Sequence, residues 1–211
     1  MAYSTVTTTV VSSADAGLEN RTGASYASVH DAASCSKLSP NQTQLIIGQL
    51  ASGDPVVYRV TRWGLNFDTS SIPSGDKIVS ATLKIYKNAG PYDMSGQNYT
   101  IVDGSDLGAP PVADDYGDLL DDVTSWGSIA ASTLATGSYS NIDINAIGLS
   151  GITRAGTTKL AVRSSTDIAS TAPTTHEYTL FEASGTASNP PTLVVIHQPL
   201  QAARYGFATY A

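Results

Sequence analysis

The segment KIVSATLKIY, residues 77–86, alternates apolar and polar side chains at every second position. Successive side chains of a β-strand point to opposite faces, so this period predicts a strand with one dry side and one wet side. The apolar positions are Val79, Ala81, Leu83 and Ile85. Because the dry side must be buried against another layer, the segment indicates a sheet that packs on at least one face.

Further segments rich in Val, Ile, Thr and Tyr predict additional strands. They are residues 4–11, 43–50, 56–67, 98–104, 139–145, 158–164, 176–183 and 191–197. Gly, Pro, Asn and Ser separate them, which favours an all-β fold over a parallel α/β sheet. We expect an antiparallel β-sandwich, with a jelly roll as its topology. Only residues 114–126 and 145–156 suggest helix, so at most one or two short helices are expected.

The apolar positions of the predicted strand 56–67 change phase. They are even-numbered from Val56 to Val60 and odd-numbered from Trp63 to Phe67. A one-residue shift of this kind predicts a β-bulge near residues 62–64. We expect the Trp63 side chain to lie in the core, because it shares a strand face with Phe67.

The stretch FDTSSIPSGD, residues 67–76, joins two of the predicted strands. Pro73 fixes φ, Gly75 permits a positive φ, and Asp68 can accept hydrogen bonds from nearby backbone N–H groups. These properties are typical of turns. The stretch is therefore interpreted as a tight structural connection rather than an active-site loop.

Length and charge limit the number of domains and the partners. The 211 residues fit one large all-β domain, over residues 1–200, and carry a net charge of −7. The basic residues form no stripe that would neutralise phosphates, so nucleic acid is not an expected partner. The longest apolar run, residues 193–196, is too short to cross a bilayer, and no membrane contact is expected. Cys35 is the only cysteine, which excludes an internal disulfide.

Two segments carry a family resemblance. Residues 65–86, LNFDTSSIPSGDKIVSATLKIY, resemble the pattern L-x-F-D-x-S-x-I-P-x-G-x-x-I-x-S-A-x-L-x-L-Y of DNRLRE-type β-sandwich domains. Residues 156–197 are similar to the closing section of that family, with an arginine-containing strand, an A-P-T turn, a strand ending in E-A-S-G and a last strand led by P-P-x-L-V-V. Such domains occur in secreted bacterial carbohydrate-associated proteins and in bacteriophage structural proteins.

The phage form of the family resembles this chain most. The opening MAYSTVTTTVVSS lacks the basic and apolar regions of a secretory signal. The resemblance implies a bacteriophage virion structural protein, made in the host cytoplasm, such as a capsid decoration or a tail-associated subunit. Its expected partners are identical subunits and other virion proteins, and its expected action involves no chemical step.

The virion role has two alternatives. One is a secreted or cell-surface carbohydrate-binding module or adhesin, whose partner would be a host surface glycan. The other is a polysaccharide-cleaving enzyme, which needs a pair of carboxylates. Nothing in the sequence selects such a pair among the acidic residues, so the chain is not expected to be an enzyme.

Five aspartates lie close together: Asp114, Asp115, Asp118, Asp121 and Asp122. Carboxylate oxygens are the ligands that Ca²⁺ prefers, which makes the first three candidate metal ligands. Their spacing differs from that of an EF-hand loop and lacks its central glycine. A solvated acidic loop is therefore the favoured interpretation, and no cofactor is expected.

Aromatic residues supply the candidate contacts. Tyr92 and Trp126 can offer a flat apolar surface to a sugar ring. The extension at residues 201–211 follows the last predicted strand and carries Tyr205, Phe207 and Tyr210. Aromatic residues on an extension need a surface that covers them. We therefore expect this extension to dock on a neighbouring subunit.

Two further expectations concern polar segments. The opening STVTTTVV, residues 4–11, is polar enough to be an edge strand. Arg163 and Asp167 are expected to pair across a turn, a structural contact that contributes little where it is exposed.

Overall fold

A computed structural model describes residues 4–21, 23–53, 55–92, 96–184 and 187–199, with the side chains of residues 91 and 92 outside the description. The described residues form eleven strands. They are β1 (Val6–Asn20), β2 (Lys37–Pro40), β3 (Gln44–Ser52), β4 (Val57–Asp68), β5 (Lys77–Tyr92), β6 (Asn98–Asp103), β7 (Gly127–Ala130), β8 (Ser138–Asp143), β9 (Thr157–Ser164), β10 (His176–Glu182) and β11 (Thr192–Gln198). Every strand expected from the sequence is present. The additional strands β2 and β7 have four residues each.

Short helices connect some of the strands. The described ones are α1 (Tyr26–His30), α2 (Asp115–Asp118), α3 (Ala146–Ser150) and α4 (Ser165–Ile168), with a 3-10 helix at Ala131–Thr133. Helices α2 and α3 lie in the two segments where helix was expected, and α1 and α4 are additional. Ser25 and Ser164 are the N-cap residues of these additional helices, and their hydroxyls accept hydrogen bonds from backbone N–H groups of the first turn.

The strands form one continuous antiparallel sheet that folds over itself into two layers. The first layer has the order β2–β1–β4–β9–β6–β7, and the second contains β8, β5, β11, β10 and β3. Strand β1 belongs to both layers: Val6–Val11 pair with β11, and the residues from Ser12 to Asn20 pair with β4. The predicted antiparallel β-sandwich is confirmed.

The space between the two layers holds the main hydrophobic core. Trp63 and Phe67 of β4 and Phe181 of β10 are fully buried there. The rings of Trp63 and Phe181 stack with their centroids 5.8 Å apart, and the Trp63 Nε1–H donates to Asp15 Oδ2 at 3.0 Å. The expected core position of Trp63 is confirmed.

Strand β4 is buried on both faces. Its odd-numbered residues from Trp63 onwards face the main core, whereas Val60 belongs to a second cluster with Leu18 and Ala161 on the outer side of the first layer. Its pairing with β9 runs from Trp63 to Asp68 without a register shift. The bulge expected near residues 62–64 is therefore wrong, because the phase change in the sequence reflects a second buried face.

The connection between β4 and β5 is a structural turn. Asp68 Oδ1 accepts a hydrogen bond from the Ser70 N–H at 3.0 Å, and the buried hydroxyl of Thr69 lies 2.7 Å from the Thr153 carbonyl oxygen. Gly75 is not among the residues with positive φ, so the turn does not use the conformational freedom expected there. In the described part of the chain, no helix has the length and apolarity that crossing a membrane requires.

Candidate functional site

The described part of the chain leaves one outer face of the sandwich uncovered. Strands β1, β11, β5 and β8 lie side by side there and bring their outward side chains into aligned rows. The rows are Thr9, Val194, Thr82 and Asp143; then Val11, Thr192, Lys84 and Asn141; then Thr7, Ile196 and Ser80. We call these eleven residues the open face. Each of them is half-buried or exposed, while residues between them on the same strands, such as Leu193, Val195, Leu83 and Ile142, lie in the main core.

The open face is rich in β-branched residues and weakly charged. Lys84 and Asp143 are its charged members, and the others are Thr, Val, Ile, Ser and Asn. Val11, at its border, is 51% exposed. Surfaces that pack against other proteins are depleted of charge at their centres, as this face is.

The open face ends at an unpaired strand edge. Residues Val6–Val11 of β1 pair with β11 on one side, and no described strand pairs with their other side. The expectation that the N-terminal segment is an edge strand is confirmed for this half of β1. Free N–H and C=O groups on such an edge can pair with a strand from another chain.

The opposite outer face is covered. Helices α1, α2 and α4 pack over the first layer, and a cluster of buried charges holds them there. Arg62 of β4 donates from Nη2 and Nε to the carboxylate of Asp167 at 2.9 and 3.1 Å. Arg163 of β9 donates from Nε to the same carboxylate at 2.7 Å. All three side chains are at most 1% exposed.

The two arginines also bind the backbone of the covering segments. Arg62 donates to the carbonyl oxygens of Tyr116 and His30, and its guanidinium lies 4.1 Å from the centre of the Tyr116 ring. Arg163 donates to the carbonyl oxygens of Leu119 and Asp122. The cluster therefore fastens helices α1, α2 and α4 to the sheet.

Burial and hydrogen bonding set the pKa values in this cluster. Burial alone would raise the pKa of Asp167, but the Arg62 guanidinium and the hydrogen bonds from His30 and Arg163 outweigh it and hold that pKa well below its ordinary value. Burial lowers the pKa of His30, but hydrogen bonds to Asp167 and Asp31 outweigh it and raise that pKa above the ordinary value. A charged Asp167 and a readily protonated His30 follow from this arrangement.

The expected pairing of Arg163 with Asp167 is present, and it is buried and shared with Arg62. The missed residue is Arg62, which lies 105 positions from Asp167. Its place between the apolar residues Val60 and Trp63 is the signal that could have identified it. A charged residue inside a doubly buried strand requires a buried partner.

Trp126 lies in the main core rather than on the surface. It is 6% exposed, and its backbone N–H donates to the Ile101 carbonyl oxygen at 2.8 Å. A Cβ added at Gly151 would lie 2.1 Å from the Trp126 ring, and one added at Gly148 would lie 2.6 Å from its Cβ. The indole is therefore packed tightly against α3 and the residue after it.

A cleft of about 320 Å³ opens beside the Trp126 ring. It is lined by Asp103, Asp121, Asp122, Thr124, Ile147 and Ser150 together with Trp126 and Gly151. Burial and the charges of Asp103 and Asp106 raise the pKa of Asp122 to about 6, although Arg163 acts in the opposite direction. We call this the acidic cleft. Its carboxylates and hydroxyls can accept hydrogen bonds from a polar ligand.

The three candidate metal ligands have different surroundings. Asp115 is buried, and its Oδ2 accepts hydrogen bonds from the N–H groups of Gly108 and Val112 at 2.9 and 2.7 Å. Asp114 and Asp118 are exposed. Asp115 thus holds the loop before α2 in place. Within the described ranges, no group of three or more His, Cys, Asp or Glu residues is placed to hold a metal ion.

The remaining candidate contacts are only partly described. Tyr92 is the last residue of β5, and its backbone lies opposite Tyr178 of β10. Its side chain lies outside the description. Tyr205, Phe207 and Tyr210 lie outside the described residues altogether.

Comparison with known proteins adds no relative. No protein-family model matches the chain, and no curated protein matches it.

Proposed function

We propose that the protein is a structural subunit of a bacteriophage virion, a capsid decoration or tail-associated component that packs against identical subunits and other virion proteins. The open face carries this proposal. One outer side of the sandwich is closed by three helices and a buried charge cluster, while the described residues leave strands β1, β11, β5 and β8 of the other side uncovered, with Thr, Val and Ile as most of its residues. A fold with such a face is stable in water, but burying the apolar side chains of the face against another surface is favourable.

The physical basis is the geometry of the exposed strands. Sheets pack face to face at about 10 Å, with their outward side chains interdigitated. The short β-branched side chains of Thr9, Val194 and Ile196 suit such packing because they lose little rotamer freedom when they are buried. The unpaired edge of β1 adds main-chain hydrogen bonds to the same contact.

Carbohydrate binding by aromatic stacking has less support. Trp126 is 6% exposed, and its ring is packed against Gly151. A sugar ring stacks on an open aromatic face, which Trp126 does not offer. The acidic cleft beside it would recognise a ligand through its carboxylates and hydroxyls instead.

Two measurements test the assembly proposal. Light scattering on the full-length chain should give a defined oligomer whose mass does not change on dilution through the micromolar range. Antibodies raised against the chain should label phage particles released from the host in immunogold electron microscopy. A monomer at every concentration, together with unlabelled particles, contradicts the proposal.

A further inference from the structure

Three carboxylates line the acidic cleft without an ion pair in the described part of the chain. Asp103 ends β6, and Asp121 and Asp122 lie in the loop between α2 and β7. Like charges that line one cleft repel one another. The cleft therefore attracts a positively charged group.

Arg163 acts on Asp122 from the buried charge cluster, but its donors are engaged. Its Nε donates to the Asp167 carboxylate at 2.7 Å, and its Nη1 donates to the carbonyl oxygens of Leu119 and Asp122. These bonds fix the loop that carries Asp121 and Asp122. The loop is thus held in place while both of its carboxylates remain available to a ligand.

The indole N–H of Trp126 is a second, independent feature of the cleft. Trp126 is 6% exposed, and its Nε1–H donates no hydrogen bond within the described residues, whereas the Nε1–H of Trp63 donates to Asp15. Nε1 of Trp126 is open to solvent, unlike the unpartnered atoms that are sealed inside the fold. A ligand in the cleft can therefore reach this donor with an acceptor atom.

A hollow of about 300 Å³ adjoins the acidic cleft and shares Asp103 and Trp126 with it. Lys159 of β9 lines this hollow. Its Nζ donates to the carbonyl oxygens of Leu107 and Ser105 at 2.5 and 3.3 Å, which leaves one of its N–H groups. The hollow therefore places N–H donors beside the carboxylates of the cleft.

The carboxylates favour an organic cation over a metal ion. In the described ranges, no three acids are placed to hold a metal ion. A guanidinium group has five N–H donors spread over a plane, so it can bond to carboxylates that a compact ion cannot bridge. It is also more weakly hydrated than an ammonium group, which reduces the cost of entering a half-buried cleft.

We propose that the acidic cleft and the adjoining hollow bind an arginine, with its guanidinium group at Asp121 and Asp122 and its carbonyl or carboxylate oxygen at the Trp126 N–H. Asp103 lines both spaces and adds a third acceptor for the guanidinium. The cleft volume of about 320 Å³ suits a ligand of this size. The arginine is either a residue of a partner protein or the free amino acid.

The indole signals of the full-length chain report on this site directly. The chain has two tryptophans, so a proton–nitrogen correlation spectrum contains one indole signal from Trp126 and one from Trp63. Titration with N-acetyl-arginine methylamide should shift the Trp126 signal with a Kd of about millimolar. The Trp63 signal should stay in place, because its N–H is bonded to Asp15 inside the core. The equivalent blocked lysine should bind at least about fivefold more weakly.

Free L-arginine distinguishes the two sources of the ligand. It carries a carboxylate that can also bond to Lys159, whereas the blocked probe carries only carbonyl groups. Tighter binding of free L-arginine identifies the amino acid as the ligand, and equal or weaker binding identifies an arginine residue of a protein. A Trp126 signal that responds to Ca²⁺ but to neither arginine probe would contradict the proposal.

One variant and one matched control locate the site. Asp122→Asn removes a charge of the cleft with little change in size, and it should weaken binding at least about tenfold. Asp118→Asn changes the net charge equally, but Asp118 is an exposed acid outside the cleft, so this control should bind as the wild type does. Thermal melts establish that both variants are folded.

Binding should also weaken as pH falls from 7 to 5. Burial and the charges of Asp103 and Asp106 raise the pKa of Asp122 to about 6, with Asp121 acting in the same direction and Arg163 opposing it. Asp122 therefore loses its charge across this range, and with it part of its attraction for the guanidinium. The affinity of Asp122→Asn should change less over the same range.

Two results would overturn the proposal. One is a Trp126 signal that neither arginine probe shifts in the wild-type chain. The other is binding that survives Asp122→Asn unchanged. The site shares no residue with the open face. Its failure therefore leaves the virion proposal intact, and an unlabelled virion leaves this site intact.

Discussion

The carboxylate of Asp167 accepts hydrogen bonds from Nη2 and Nε of Arg62, a residue 105 positions earlier in the chain, at 2.9 and 3.1 Å. This pair joins α4 to the centre of β4 beneath the covering helices. Because Arg163 donates to the same carboxylate, one acid balances two buried guanidinium groups. The covered face of the sandwich therefore depends on a single negative charge.

Asp167→Asn is expected to destabilise the fold by about 3 to 5 kcal/mol, because it leaves two buried cations without their counter-charge. Urea denaturation followed by tryptophan fluorescence measures the loss. Asp118→Asn is the control: Asp118 is an exposed acid on α2, and its substitution should change stability by about 0.5 kcal/mol or less. A loss below about 1 kcal/mol for Asp167→Asn would show that carbonyl oxygens alone hold the arginines.

His30 should make stability depend on pH. Its folded pKa is raised above the ordinary 6.5, because its hydrogen bonds to Asp167 and Asp31 outweigh the effect of burial. The stability that it contributes is complete below about pH 6.5 and is lost as pH rises through the folded pKa. The melting temperature of the wild type should fall as pH rises from 6 to 9, and that of His30→Asn should fall less. The same substitution at the exposed His176 should leave the wild-type slope, and an unchanged slope in His30→Asn would refute the assignment.

Asp122 should also make stability depend on pH, in a lower pH range than His30 does. Burial and the charges of Asp103 and Asp106 raise its pKa from 3.8 to about 6, so the folded state holds this proton more tightly than the unfolded state does. Stability should therefore decrease as pH rises between these two values. Asp122→Asn removes this dependence and should be more stable than the wild type at pH 7. Melting temperatures measured from pH 4 to pH 7 test the prediction, which fails if both proteins show the same slope.

Charge placed on the open face should disrupt assembly without unfolding the protein. Val194→Lys puts an ammonium in the middle row of the face, where its burial against a second copy is unfavourable. The expected result is a monomer in light scattering with an unchanged circular dichroism spectrum. Val112→Lys is the control, since Val112 is a valine that is 49% exposed and lies outside the open face. An oligomer that persists in Val194→Lys would place the contact elsewhere.

Two glycine substitutions should have opposite outcomes. A Cβ at position 151 would lie 2.1 Å from the Trp126 ring, so Gly151→Ala forces the indole or α3 to move and should cost about 1 to 3 kcal/mol. Gly75 has no heavy atom within 4 Å of its added Cβ and no positive φ. Gly75→Ala should therefore be neutral or stabilise the fold by up to about 1 kcal/mol. Denaturation midpoints for the two variants compare them directly, and equal values would contradict the packing at Trp126.

The strands could be predicted because alternation is a local signal. Residues 81–86 follow it in β5, but the expected buried position of Val79 is wrong: a register shift between Ile78 and Ser80 turns Ile78 towards the core and leaves Val79 43% exposed. In β4, alternation led to the wrong prediction of a bulge, because Val60 and Trp63 are both buried but on opposite sides of the sheet. Period-two patterns identify a face only where the other face is wet.

The functional surfaces were harder to predict, because pairing between distant strands creates them. Thr9, Val194 and Thr82 form one row only after β1, β11 and β5 align, and no short stretch of sequence shows that row. Trp126 was expected at a ligand surface because of its residue type. Its burial depends on Gly148 and Gly151, whose missing side chains leave room for the indole.

Strand β1 changes partners at Ser12–Ala14, from β11 in one layer to β4 in the other. Val6 lies opposite His197, so the first strand of the fold is completed by the last. During synthesis, the N-terminal half of β1 must therefore wait until β11 has left the ribosome before it can pair. Closure of the sandwich is therefore a late step in the folding of the nascent chain.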